Sequence, residues 1–212
     1  MAKQYILFDH DGVLVDSERW YYEATRETFM PLGIKLDKLT YLDFMTQGRS
    51  CWELVRNKGI SESQIAFKRT ERDQLYQTFL QTRDIEIEGV EEVLAHLYGK
   101  KRMAIVTTSR QEDFKLIQNS RNLLQYFEFC ITPEDYFLSK PEPDPYLCAL
   151  KKFGARTEEA VAVEDSQKGL LSAVAAGLDC IIIKNSFTTS QDFSKAWRVI
   201  DSIRDLPELV GC

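Results

Sequence analysis

The sequence predicts an α/β protein, a parallel sheet covered by helices and interrupted once by a helical insert. Five short runs of Ile, Val, Leu and Phe lack clean alternation, the pattern of strands covered on both faces. Helical periodicity separates the later runs, so strand and helix alternate as in right-handed βαβ units. Residues 17–83, by contrast, carry helical patterns and no convincing strand.

In chain order, the first strand falls at 4–8. The insert follows with helices at 17–30, 38–45, 51–58 and 61–83, punctuated by Gly33, Gly48 and Gly59. Ser61 with Gln64 three residues later reads as a capping box for the last of these. A helix at 90–97 ends near Gly99 and leads to a strand at 102–107. A helix at 111–123 and a strand at 128–131 come next. The helix at 145–153 opens with Asp144 as N-cap and Pro145 at the first helical position. After a strand at 160–163, a helix at 167–176 closes at Gly177, which suits a left-handed C-cap. The fifth strand is 180–184. The expected organisation is one sheet domain made of 1–16 and 85–212, with 17–84 inserted as a helical domain.

Composition narrows the function classes. The 212 residues include 27 basic and 33 acidic side chains, a net charge of −6. That balance argues against a non-specific nucleic-acid or membrane-surface binder, either of which needs a basic face. With 44% hydrophobic and 28% charged residues, the composition is that of an ordered globular chain. No apolar run approaches the roughly 18 residues of a membrane span, and the apolar stretch at 173–183 is broken by Gly177 and Asp179. The N-terminal apolar run is too short to read as a signal peptide. Five widely spaced cysteines without a CxxC pair, and two histidines, suggest free thiols in a reducing cytosol and argue against zinc.

Four constellations fall at strand ends or in loops on one rim of the expected sheet, where open parallel sheets bind ligands. Asp9 and Asp11 stand one residue apart just past the first strand. Two such carboxylates repel each other, and a divalent cation is the natural remedy, although an Asp-Gly turn would explain them too. Glu164-Asp165-Ser166 places a second acidic pair at the end of the fourth strand, where Asp165 or Ser166 could simply cap the next helix. Lys140 is set among Pro141, Pro143 and Pro145, which fix the backbone around it. Thr107-Thr108-Ser109-Arg110 follows the second strand and can hydrogen-bond an anion near a helix start. Carboxylates suit a hard cation such as Mg²⁺, while lysine and hydroxyls suit a phosphoryl group. The conjunction therefore points to a phosphoryl site.

Those residues resemble the motifs of the haloacid dehalogenase superfamily, in the subgroup of helical-cap phosphatases and β-phosphoglucomutase-like proteins. Asp9-His10-Asp11-Gly12-Val13-Leu14-Val15-Asp16-Ser17-Glu18 resembles its first motif, Thr107 its second, Lys140 through Asp144 its third, and Glu164-Asp165-Ser166 its fourth. The resemblance implies a Rossmann-like core with the first strand central, and a cap formed by 17–84. It implies a Mg²⁺-dependent phosphatase with Asp9 as nucleophile, Asp11 as general acid and base, and Thr107 and Lys140 holding the phosphoryl oxygens. The metal would be held by Asp9, Asp165, Glu164 and Asp11, the last through its backbone carbonyl.

The second aspartate favours phosphate-ester hydrolysis or phosphoryl transfer over dehalogenation. His10 is expected to pack away from the metal, because adjacent side chains at a strand end diverge. Sugar phosphomutases of the subgroup carry a histidine where this chain has Trp20-Tyr21 and an arginine nearest here to Cys51 and Arg49, departures that favour a hydrolase. Substrate selection is expected from Glu18, Gln47, Gly48 and Arg49 in the insert, with Thr108, Ser109 and Arg110 from the sheet domain. The substrate is expected to be a small phosphorylated metabolite, such as a sugar or polyol phosphate, acted on by a monomeric cytoplasmic enzyme without nucleic acid or membrane. The aromatics Trp20, Tyr22, Phe29, Tyr41, Phe44 and Trp52 read as the insert's own core, and Lys68, Arg69 and Arg72 as a solvated helix face. The rival readings are a sugar phosphomutase, a phosphoacceptor signalling domain, which needs no helical insert, and a non-enzymatic metabolite-binding relative.

Overall fold

A computed structural model describes residues 3–212. The chain divides into two compact units, one containing the chain up to Asp16 together with Ile85–Cys212, the other Ser17–Asp84.

The first unit is built on six parallel strands: β1 (Tyr5–Phe8), β2 (Arg102–Val106), β3 (Phe129–Ile131), β4 (Ala160–Glu164), β5 (Asp179–Ile183) and β6 (Arg198–Ile200). Their spatial order is β3-β2-β1-β4-β5-β6, so β1 lies inside the sheet, between β2 and β4. Strand alternation sorts the core into two layers. Ile6, Phe8, Ile105 and Val163 face Val93, Leu94 and Leu97 of helix α5 (Val90–Leu97). Leu7, Ala104, Val106 and Ala162 face Tyr146 and Leu150 of α7 (Asp144–Phe153) and Leu170 of α8 (Gln167–Ala175). Helices therefore cover both faces, the reason these strands carry no polar side. Helix α6 (Gln111–Ser120) lies on the α5 layer through Phe114, and the short α9 (Leu206–Leu209) closes the chain.

Within this unit the two chain ends flanking the insert are tied together. The Asp16 N–H donates to the Ile85 carbonyl at 2.9 Å, and Val15 bridges to Glu86. An excursion of 68 residues can leave and return here because its ends already share backbone hydrogen bonds.

The second unit contains α1 (Glu18–Phe29), α2 (Lys38–Thr46), α3 (Glu53–Asn57) and α4 (Glu62–Thr82). Ser61 and Gln64 cap α4 reciprocally, the box its sequence spells. Tyr22, Phe29, Tyr41, Phe44 and Trp52 are buried, and Phe29 meets Trp52 edge-on at 4.9 Å between centroids. Trp20 packs on Phe79 of α4 at 5.7 Å.

Three expectations need correction. The sixth strand, Arg198–Ile200, was not expected; it has three residues on the sheet edge, too short and too exposed to stand out as an apolar run. Asp144 is the first residue of α7 rather than its cap, and its carboxylate accepts from the Leu138 N–H at 3.0 Å, while Pro143 occupies the cap position. Arg72 is not on a solvated face. The 3.6-residue period puts it between Ile65 and Tyr76 on the packed side of α4, where its guanidinium lies 4.1 Å from the centre of the Tyr21 ring and pairs with Asp73.

Candidate active site

Register decides which groups meet at the carboxyl edge. Phe8 pairs with Ile105 of β2 and with Val163 of β4, so the next residue, Asp9, comes level with Val106 on one side and Glu164 on the other. The Asp9 N–H continues the ladder to the Val163 carbonyl at 2.8 Å. One strand-end residue thus sits between two others drawn from 97 and 155 positions further on.

Lys140 reaches this point from the loop between β3 and α7. It is buried, and its ammonium donates to Asp9 Oδ1 at 2.6 Å, to Glu164 Oε1 at 2.6 Å and to the Val106 carbonyl at 2.9 Å, which uses all three of its protons. Ser172 of α8 anchors that loop by donating to the Glu142 carbonyl at 2.6 Å. Burial alone would pull the ammonium down, but the Asp9 and Glu164 charges outweigh it and hold its pKa above the ordinary lysine value.

Glu164 is wholly buried. Besides Lys140 it accepts from the Tyr146 hydroxyl at 2.8 Å, and its other oxygen accepts from the Asp165 N–H and the Ser166 hydroxyl, each at 3.3 Å. Its carboxylate lies against Gly169 of α8, where a Cβ would come within 1.9 Å of it. Asp165 accepts at Oδ2 from Asn185 Nδ2 at 2.7 Å. Gly12, at φ +80°, brings its backbone so close that a Cβ would stand 2.1 Å from the same oxygen.

Asp9, Glu164 and Asp165 each offer an oxygen within 4.8 Å of the others, all three residues buried. One lysine cannot neutralise three carboxylates. Burial, then the charge of Glu164, push the Asp9 carboxyl up to about 7 despite Lys140 beside it. An all-oxygen donor set with surplus buried negative charge fits a hard divalent cation.

The remaining residues of the rim are placed as follows. Thr107 is buried and its hydroxyl donates to Ser109 Oγ at 2.8 Å; the Ser109 hydroxyl in turn donates to Asp11 Oδ2. The Asp11 carboxylate is therefore drawn toward Ser109 and is not among the three clustered acids. Thr108 is exposed, and the Arg110 guanidinium pairs with Asp113 in the first turn of α6. His10 is wholly buried against Phe114.

In the helical unit, Glu18 accepts from the Tyr41 hydroxyl at 2.5 Å. Burial, then the Glu18 charge, hold that phenol well above its usual pKa. Gln47, Gly48 and Arg49 form an exposed loop between α2 and α3, with Gln47 donating to Asp43 and Arg49 pairing with Glu53 and lying 4.9 Å from the Phe44 ring centre.

Sequence reasoning missed Tyr146, Gly169 and Asn185. Asn185 was within reach, since it follows β5 at the same carboxyl edge that carries the other groups. Tyr146 and Gly169 had no comparable signal. Their roles exist only once α7 and α8 are packed on the sheet.

Fold and rim together define an α/β enzyme core with a buried, lysine-braced carboxylate cluster at the carboxyl edge of a parallel sheet. The chain belongs to the haloacid dehalogenase-like hydrolase family, whose sequence model matches residues 6–183. It is 31% identical to protein CbbY of Rhodobacter capsulatus, covering 99% of this chain and 100% of that one. It is 27% identical to a phosphorylated carbohydrates phosphatase of Thermotoga maritima, over 83% of this chain and 82% of the other. Among solved structures, a mutant of CbbY from Rhodobacter sphaeroides in complex with xylulose-(1,5)bisphosphate superposes with a TM-score of 0.78 at 26% identity, covering 95% of each chain.

Proposed function

We propose that this chain is a Mg²⁺-dependent phosphatase that hydrolyses a small phosphorylated metabolite, a sugar or polyol phosphate, through an aspartyl-phosphate on Asp9. The observation that carries this reading is the Asp9 carboxylate itself, braced by a buried lysine and clustered with Glu164 and Asp165. The name of one relative, a phosphorylated carbohydrates phosphatase, and the xylulose-(1,5)bisphosphate bound in the CbbY structure support the same substrate class.

Asp9, Glu164 and Asp165, with the Asp11 carbonyl, are the residues to hold Mg²⁺. When bound, the ion neutralises charge shared by these carboxylates and a phosphate ester.

In the first half-reaction an Asp9 oxygen attacks phosphorus, the O–P bond forms, and the ester P–O bond breaks. Asp11 gives its proton to the departing oxygen, which leaves as an alcohol. In the second, water attacks phosphorus, Asp11 takes the water proton, and the Asp9–phosphorus bond breaks to release phosphate. The Thr107 hydroxyl and the backbone N–H groups of His10, Asp11 and Thr108 bind the phosphoryl oxygens, joined by the Lys140 ammonium, whose bond to Asp9 Oδ1 passes to a phosphoryl oxygen as Asp9 takes up phosphorus.

In this reading the unit of 1–16 and 85–212 is the catalytic core. The unit 17–84 is the cap that selects the substrate, with Glu18, Gln47, Gly48 and Arg49 as its contacts and Thr108, Ser109 and Arg110 as theirs from the core. The enzyme works as a monomer in the cytoplasm. Among the described residues no helix is long and apolar enough to cross a membrane.

A panel of phosphorylated sugars, polyols and nucleotides with Mg²⁺, run beside Asp9→Asn, tests the proposal. Steady phosphate release by the parent and none by the variant is expected. Release by Asp9→Asn at the parent's rate would remove the nucleophile. An isomerised sugar phosphate without phosphate release would identify a mutase, and a single stable phosphorylation a phosphoacceptor.

A further inference from the structure

We infer that His10 is a positioning residue for Asp11, holding its carboxylate through an Nδ1–H. The inference rests on the general acid and base role proposed for Asp11. Strand alternation turns Asp9 toward the α7–α8 layer and His10 to the opposite layer, where the imidazole is wholly buried. There its ring packs edge-on against Phe114 of α6, 4.8 Å between centroids. Its Nε2 lies 2.9 Å from Gln118 Nε2, and its Nδ1 lies 3.5 Å from Asp11 Oδ2.

The proton count orients this chain. The Asp11 oxygen that Nδ1 faces accepts from the Ser109 hydroxyl and so carries no proton itself, and a lone pair on Nδ1 would be repelled by it. With the proton on Nδ1, the ring donates toward Asp11, and the Gln118 amide donates to the Nε2 lone pair. Nδ1 makes no hydrogen bond within normal geometry, and 3.5 Å is too long for a good one. A buried donor left unpaired is unfavourable, so His10 favours conformations in which Asp11 draws closer.

Ser109 supplies the second donor to the same Asp11 oxygen and connects it to Thr107. Two groups on neighbouring strand ends thus fix the direction of one carboxylate. Proton transfer to a leaving group depends on that direction, and catalytic hydrogen bonds that are long in the free enzyme tighten in the working complex. The imidazole is not part of the acidic cluster, so its effect passes through Asp11.

The ratio kcat/KM reports the first half-reaction, where a mis-aimed general acid harms only substrates whose leaving group needs a proton; the second, with Asp11 as base, is common to both. The experiment compares a sugar phosphate with 4-nitrophenyl phosphate, whose leaving group departs as an anion. His10→Leu is expected to lose roughly 10- to 100-fold in kcat/KM on the sugar phosphate, and less than about threefold in kcat/KM on 4-nitrophenyl phosphate. His10→Asn, whose amide NH₂ stands near the place of Nδ1, restores most of the loss. Equal losses on both substrates, or no loss, overturn the inference.

Asp11→Asn separates the two readings. If it shows no such selectivity, the general acid assignment itself falls. If it does and His10→Leu does not, only the positioning role falls. Nitrogen-15 NMR of the parent, which has just two histidines, settles the matter even if a variant fails to fold: an Nδ1–H tautomer for His10 is expected, and an Nε2–H tautomer contradicts the inference.

Discussion

Asp9→Asn removes one negative charge from a buried site that holds more acid than base, and it should stabilise the metal-free protein. Burial and Glu164 raise the Asp9 carboxyl from 3.8 to about 7 in the folded state. A raised acid contributes no penalty below its unfolded value. As pH climbs from about 4 to about 7, the unfolded chain ionises a group that the folded protein keeps neutral, and stability declines; above that both states are ionised and the loss is constant. Three units at 1.36 kcal/mol each set an upper value of about 4 kcal/mol. Asparagine resembles the protonated acid in size and still accepts from Lys140, so it recovers part or all of this, about 8–16 °C in Tm at full recovery. The assay is thermal and urea unfolding in EDTA at pH 8 and at pH 5. At pH 8 the variant should be the more stable; at pH 5, about one unit above the unfolded value, its advantage should shrink to roughly a third. A variant less stable than the parent at pH 8 would show that the Lys140–Asp9 attraction outweighs the repulsion and desolvation, and the reasoning would fail.

Other perturbations of the cluster give distinct outcomes. Lys140→Met leaves Asp9 and Glu164 without their shared cation and should destabilise the fold by about 3–5 kcal/mol, measured by urea unfolding at pH 8 without metal. Gly169→Ala would favour the helix by up to about 1 kcal/mol elsewhere, but its Cβ collides with the Glu164 carboxylate, so a net loss of stability is expected in thermal unfolding. Asn185→Ala frees Asp165 Oδ2 from its amide donor; titration calorimetry with Mg²⁺ should show about 10- to 100-fold weaker binding, and unchanged affinity would remove Asn185 from the site.

The sheet was legible because both its faces are covered: each of the first five strands shows as an unbroken apolar run, displaced by at most a residue or so from its observed ends. Strand β6 escaped because an edge strand of three residues leaves no such record. The clustered acids and Lys140 were legible through strand ends and prolines, signals local to a few residues. Tyr146 and Gly169 act through helix-on-sheet packing, which no local pattern encodes. Arg72 was misread because charge was weighed before helical phase, and phase places it inward. For His10 the divergence of neighbouring side chains gave the right layer, while its approach to Asp11 depends on the turn at Gly12.

The decisive measurement is chemical trapping at Asp9. Enzyme quenched during turnover of 4-nitrophenyl phosphate with Mg²⁺, then treated with borohydride, should yield a peptide in which residue 9 is reduced to homoserine, and only when substrate and metal are both present. Reduction at Asp11, Glu164 or Asp165 instead, or unmodified peptide from an enzyme that is turning over, would contradict covalent catalysis by Asp9.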